Sequence, residues 1–153
     1  MNHLATSKED ILAASRDLIK ENGWAAVSIR AVASRCSVSA GTIYNYYESK
    51  ADLLSDTIES IWHEIFFHPE DEQVFHDVES CISWIYERLE YGNRQFPGFF
   101  SLHSFGFMRD EKTSGKKRMM KTWGHILNGL CEVLGNDPKV RADVFDQEFT
   151  EKK

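Results

Sequence analysis

The stretch GTIYNYYESK, Gly41 to Lys50, gathers the side chains of this chain best suited to meeting a polar surface. Placed on a helix at about 100° per residue, Ile43 and Tyr47 fall on one side, while Thr42, Tyr44, Asn45 and Tyr46 fan across the other. An asparagine amide pairs with the edge of adenine, and a threonine methyl or an aromatic edge meets the methyl of thymine. Tyrosine and threonine hydroxyls donate to phosphate oxygens without needing a charge. Lys50 falls in the first turn of the next helix, where unpaired N–H groups and the positive dipole end reinforce its ammonium. This is the chemistry of a nucleic-acid groove. The bland alternative is a solvated helical hairpin whose polar side faces water.

The elements that must position these side chains are short and closely spaced. Ser7 followed by Asp10 forms a capping box, and Ile11, Leu12, Ser15, Leu18 and Ile19 follow at helical spacing. Gly23 supplies the left-handed residue that ends this first helix. A second helix runs from about Ser28, its N-cap, to Arg35, with Ile29, Val32 and Ala33 inward. A third starts at Ser39, again an N-cap, and runs to about Tyr46. About three residues, Cys36-Ser37-Val38, separate the two, which is the proportion of a helix-turn-helix.

The rest is helical too. Ser49 and Asp52 form another capping box, opening a longer helix with Leu54, Ile58, Ile61 and Ile65 as its stripe, closed by Pro69 and the acidic EDE after it. Phe75, Val78, Ile82, Ile85 and Leu89 mark another, ended near Gly92. Phe96 to Met108 reads as a short aromatic-rich helix or turn. Met119, Trp123, Ile126, Leu130 and Val133 mark a long helix stopping at Gly135, and Asp137-Pro138 caps a last one with Val140, Val144 and Phe149 inward. No alternating strand pattern is present, so the expected fold is all-α, with an N-terminal three-helix domain followed by a helical bundle.

The first-helix string ILAASRDLIKENGW and the following VSIRAVASRCSVSAGTIYNYYESKADLL resemble the tetracycline-repressor (TetR) family of bacterial transcription regulators. The likeness covers roughly Ile11 to Ile58, and GTIYNYYESK with its following leucine pair is the most specific part. It implies a DNA-binding domain over residues 1–49 and a ligand-binding and dimerisation domain over 50–153. It also implies that Ser28 and Arg30 touch backbone or base, that Thr42, Tyr44, Asn45 and Tyr46 meet the operator, and that Lys50 meets a phosphate. Ser39, which caps the recognition helix, belongs to the same DNA-binding set. Two residues depart from the family pattern. Ser37 stands where a turn glycine is usual, and Tyr47 where phenylalanine is. In length the chain stops several tens of residues before the family does, about where the first dimerisation helix would begin. The available dimer surfaces are then Lys116–Leu134, Val140–Phe149 and the aromatic segment.

The resemblance implies a homodimeric repressor on a pseudo-palindromic double-stranded operator, released by a small-molecule effector. Trp84, Phe99, Phe100, His103, Phe107 and Trp123, with Phe105 and Met108, are candidates to line its cavity, or are ordinary core. Net charge is −6, but six Lys/Arg balance six Asp/Glu over residues 1–54, and the excess, twelve against eighteen, lies beyond them. Within Ser28–Lys50, Arg30, Arg35 and Lys50 face a single Glu48. The recognition stretch therefore sits in the least acidic part of the chain. Arg35 reads as a surface charge at a helix end. Three unpaired cysteines, with no visible signal or membrane span, point to reduced thiols in a cytoplasm. Cys36, beside Arg35, carries a hint of a redox thiol. Six histidines without metal-ligand spacing point to no metal, and no cofactor, catalytic triad or phosphate loop is expected. The rival reading is a helical protein-interaction module that keeps the helix-turn-helix shape without binding DNA. An enzyme comes a distant third.

Overall fold

The computed structural model describes residues 6–67, 76–101, 114–141 and 143. Among them the regular elements are all helical: α1 (Lys8–Asn22), a 3-10 turn (Trp24–Ala26), α2 (Ile29–Arg35), α3 (Ala40–Tyr44), α4 (Lys50–Phe66), α5 (Val78–Gln95) and α6 (Ser114–Asn136). α1 packs on α2 and α4, α2 on α3, and α4 on both α5 and α6. The longer α4 thus joins the three-helix head to the helical body.

Local rules account for most of the helix starts. Ser7 Oγ accepts from the Asp10 N–H at 3.1 Å while the Asp10 carboxylate accepts from the Ser7 N–H at 2.8 Å, completing the capping box. Ser28, Ser39, Ser49 and Asp77 cap α2, α3, α4 and α5 in the same single-sided way. Gly23 ends α1 at φ 80°, ψ 177°, a positive φ that suits glycine, though the ψ is extended and not left-handed helical. Ile11, Leu18, Ile19, Ile29, Val32 and Ala33 are buried as their spacing predicts. Ser15 is buried among them, and its hydroxyl donates to the Ile11 carbonyl at 2.9 Å, so no polar group is stranded.

Register and length differ from expectation in the body. In α4 it is Leu53 that is fully buried, with Leu54 half-buried at the core's edge; Ile58, Ile61 and Ile65 point inward as expected. α5 does not end near Gly92 but runs on to Gln95, because Gly92 lies where α5 meets α4 and Phe100. Its inward side carries Cys81 and Trp84, and Ile82 is exposed. α6 ends one residue past Gly135, with Ile126 and Val133 buried. Asp137, expected to cap a last helix, instead closes a turn: it is buried, and its carboxylate accepts from the N–H groups of Val78 and Lys139, both at 2.9 Å. Pro69 with its acidic neighbours, Phe75, Val144 and Phe149 lie outside the described residues.

The core is continuous from head to body. Around Trp62 the rings of Phe99, Phe100 and Trp123 lie with centroids 5.2, 5.8 and 5.5 Å away, tilted or edge-on as aromatic pairs prefer. Trp84 closes on Phe66 at 6.0 Å. No helix among the described residues is long and apolar enough to cross a membrane. The three cysteines are free thiols, and burial pushes that of Cys81 above its ordinary value.

Candidate nucleic-acid interface

The turn between α2 and α3 fixes how the third helix is presented. Cys36 is the C-cap of α2; the Ser37 N–H then donates to Ser34 at 3.1 Å and the Val38 N–H to Ala33 at 2.9 Å. Those two bonds are the Schellman pattern, with Ser37 as its left-handed residue at φ 57°. The position read as a glycine substitute therefore has the backbone conformation that favours glycine. Val38 packs against the core from the turn.

α3 is then held by its apolar side. Ile43 is fully buried and Tyr47 is 4% exposed, so both point to the first helix and the core, as their spacing predicts. The opposite side is open: Tyr44 is 55% exposed, Tyr46 43%, and Asn45 exposed at the C-cap. Thr42 is half-buried, its hydroxyl 3.0 Å from that of Ser39, whose oxygen also accepts the Thr42 N–H. Ser28 caps α2 by accepting the Ala31 N–H at 3.1 Å, leaving its hydroxyl proton available to an outside acceptor. Arg30 is exposed in the first turn of α2, and Lys50 is exposed in the first turn of α4. Neither makes an ion pair among the described residues. Arg35, by contrast, is tied to Glu21, with Nη1 2.8 Å from Oε1. That pairing holds the Glu21 carboxyl below its ordinary range and leaves Arg35 a surface charge at a helix end.

One contact has no precursor in the local pattern. The Tyr46 hydroxyl donates to the backbone carbonyl of Thr6 at 2.6 Å. Lys8, two residues on, lies over the Tyr47 ring, 5.6 Å from its centroid, and pairs with Asp56 of α4 at 2.6 Å. The partner of Tyr46 is a main-chain oxygen at a separation of 40 residues, and no side-chain signature could have flagged it. Cys36 Sγ is 3.8 Å from the carbonyl of Asp10, in the first turn of α1.

Of the candidate effector-lining residues, Trp84, Phe99, Phe100 and Trp123 fall in the aromatic cluster between α4, α5 and α6. His103 and Phe107, with Phe105 and Met108, lie outside the described residues. A groove of about 500 Å³ lies elsewhere, between α1 and α4, lined by charged residues including Lys8, Arg16, Asp56 and Glu64. Among the described residues no cluster of three histidine, cysteine or carboxylate side chains is placed to hold a metal ion.

A short capped helix presented by a tight turn, anchored by Ile43 and Tyr47 and open on its polar side, defines a helix-turn-helix protein. Residues 11–57 match the family model of the bacterial regulatory proteins of the tetR family, so this N-terminal segment is similar to the domain that model describes. It is 38% identical over 48 residues to the HTH-type transcriptional regulator UidR of Escherichia coli (strain K12), covering 31% of this chain and 24% of that one. It is 45% identical over 47 residues to the HTH-type transcriptional repressor KstR of Rhodococcus jostii (strain RHA1), covering 31% and 22%. The match thus spans about a quarter of the length of these curated relatives. The crystal structure of the transcriptional regulator FadR from Bacillus subtilis, in complex with stearoyl-CoA, superposes with a TM-score of 0.57 at 20% identity. That superposition covers 92% of this chain and 76% of the other, so the likeness of fold runs past the head into the helical body.

Proposed function

We propose that the chain is a sequence-specific DNA-binding transcription regulator acting as a repressor. Residues 1–49 form the reading head, and residues 50–153 form the body that dimerises and takes an effector. What carries this reading is the polar side of α3: Thr42, Tyr44 and Asn45 stand on an element whose other side is locked into the core. Arg30 and Lys50, which make no ion pair among the described residues, stand in the first turns of the two neighbouring helices. In a homodimer, two such helices enter successive major grooves of a pseudo-palindromic operator, about 34–36 Å apart. Asn45 and Thr42 read base edges; Arg30, Ser28, Ser39, Tyr44 and Lys50 hold the backbone. Tyr46 stands on the same side.

A small apolar molecule lodging among Trp84, Phe99, Phe100 and Trp123 releases the operator if it binds better to a body that spaces the two heads differently. The FadR of Bacillus subtilis takes stearoyl-CoA, which supports an effector with a long apolar portion. These rings are packed around Trp62, so such a ligand enters by parting α4, α5 and α6.

The test begins with selection of duplexes from a random library by the wild-type chain, followed by fluorescence-anisotropy titration. Thr42→Ala and Asn45→Ala each cost about 1–3 kcal/mol on the selected site, and Lys50→Ala weakens selected and unrelated duplexes alike. Affinity falls steeply with salt. Unchanged affinities in all three variants refute the assignment. A wild-type chain that enriches no duplex, but holds a protein partner, returns the protein-interaction reading.

A further inference from the structure

A tyrosine hydroxyl has one proton to give, and that of Tyr46 is already donated to Thr6 at 2.6 Å. Thr6 is buried, so the chain entering α1 is packed in place at this point. Lys8 adds two ties at the same junction, to the Tyr47 ring and to Asp56. Tyr46 itself lies just past α3 and just before Ser49 caps α4, in the connection that sets the direction of the recognition helix.

That direction needs external support. A five-residue helix makes almost no hydrogen bonds of its own, since the first four N–H groups and the last four carbonyls of any helix lack internal partners. Ile43 and Tyr47 fix its depth in the core, but a turn around their common side is opposed only by contacts off that side. The Tyr46–Thr6 bond is such a contact.

We propose that Tyr46 is a positioning residue for DNA recognition. Its hydroxyl ties the exit of α3 to the chain entering α1, and it acts on the duplex through Thr6 without touching a base or phosphate. The proposal rests on the reading of α3 as the recognition helix. It has a distinctive consequence. Base contacts by Asn45 and Thr42 are short and directional, whereas attraction to phosphate is long-ranged and tolerant of angle. Loosening the tie therefore erodes discrimination between duplexes and leaves general affinity nearly intact.

The experiment compares the wild type, Tyr46→Phe, a chain that begins at Ser7 with residues 1–6 removed, and the combination. Trypsin cleavage after Lys8, followed by mass spectrometry without DNA, reads the tie itself; Tyr46→Phe speeds it about fivefold, the worth of one hydrogen bond. On the selected duplex, Tyr46→Phe weakens binding about tenfold, and on an unrelated duplex by less than about twofold. In the shortened chain, which has no Thr6, Tyr46→Phe costs nothing further. Losses that multiply in the combination, equal losses on both duplexes, or an unaltered trypsin rate each overturn the proposal. Failure of the reading beneath it is distinguishable, because the wild-type chain would then bind no selected duplex before any variant is made.

Discussion

Replacing Ser37 with glycine should stabilise this protein, although it deletes a side chain from the turn that defines the motif. Ser37 sits at φ 57° as the left-handed residue of the Schellman turn after α2. An L residue held there costs about 1–2 kcal/mol from the clash of Cβ with the neighbouring carbonyl. Glycine lifts that strain but returns about 0.5–1 kcal/mol through its extra freedom in the unfolded chain. The hydroxyl that is lost is exposed and makes no hydrogen bond among the described residues, so nothing else changes sign. The net gain is about 0.5–1 kcal/mol, or roughly 1–4 °C in Tm for a chain of this size. Urea unfolding followed by circular dichroism measures it, with Ser37→Ala as the control. Alanine keeps Cβ and therefore the strain, so it should gain nothing. A Ser37→Gly protein less stable than wild type, or an alanine variant equally stabilised, would refute the strain argument.

Other substitutions probe the seam between head and body. Gly92→Ala places a Cβ 2.7 Å from Ile65 Cδ1 and 3.0 Å from Phe100 Cζ; overpacking at about 1–3 kcal/mol outweighs the roughly 1 kcal/mol helix preference of alanine, so thermal denaturation should show a net loss. Glu64 accepts from Lys20 at 2.6 Å, from Arg16 at 3.1 Å and from the Tyr91 hydroxyl at 3.0 Å, all partly shielded. Glu64→Gln should therefore cost about 1–2 kcal/mol in urea titration, while Glu90→Gln, breaking an exposed pair with Arg94, should cost less than about 0.5. Equal losses in the two would mean that burial does not strengthen the Glu64 cluster. The Ser7 hydroxyl, and then its N–H, hold Asp10 below its ordinary value of 3.8. A depressed carboxyl contributes stability above its unfolded value and loses it as pH falls through the folded one, so helicity at the start of α1 should decline below about pH 4. In Ser7→Ala that acid dependence should flatten.

Range along the chain separates what the sequence discloses from what it hides. The caps of α1 to α4 are legible because serine meets an N–H three residues ahead, within one turn, whereas the Asp77 cap of α5 is not anticipated. The same holds for Ile43 in α3 and for Tyr47, which lies past the helix end but whose N–H still donates to the Ile43 carbonyl, and for Ser37 in a three-residue turn. In α5 the expected stripe is only partly the inward one: Ile85 and Leu89 pack half-buried against the core, Ile82 is exposed, and Cys81 and Trp84 are buried where Phe66 of α4 meets Trp84. Helical periodicity names the stripes but not the neighbour. Gly92 shows the same limit: a glycine can end a helix or let one pass close to another, and the presence of Ile65 and Phe100 distinguishes the two.

At the candidate site the same limit has a chemical form. A hydroxyl's type permits it to serve a phosphate, a base edge or a main-chain carbonyl equally well. Position chooses among them, and for Tyr46 the choice lies 40 residues away. The contacts that join α1 to α4, from Arg16 to Ser60 and from Lys20 to Glu64, span 44 residues each. These long-range bonds hold α1 against α4. The residues that give α3 its chemistry are therefore encoded locally, whereas those that aim it are scattered across the first 64 positions. Substitutions at Thr42 or Asn45 should change which duplex is preferred. Substitutions at Tyr46, Lys8 or Glu64 should change how sharply any preference is expressed.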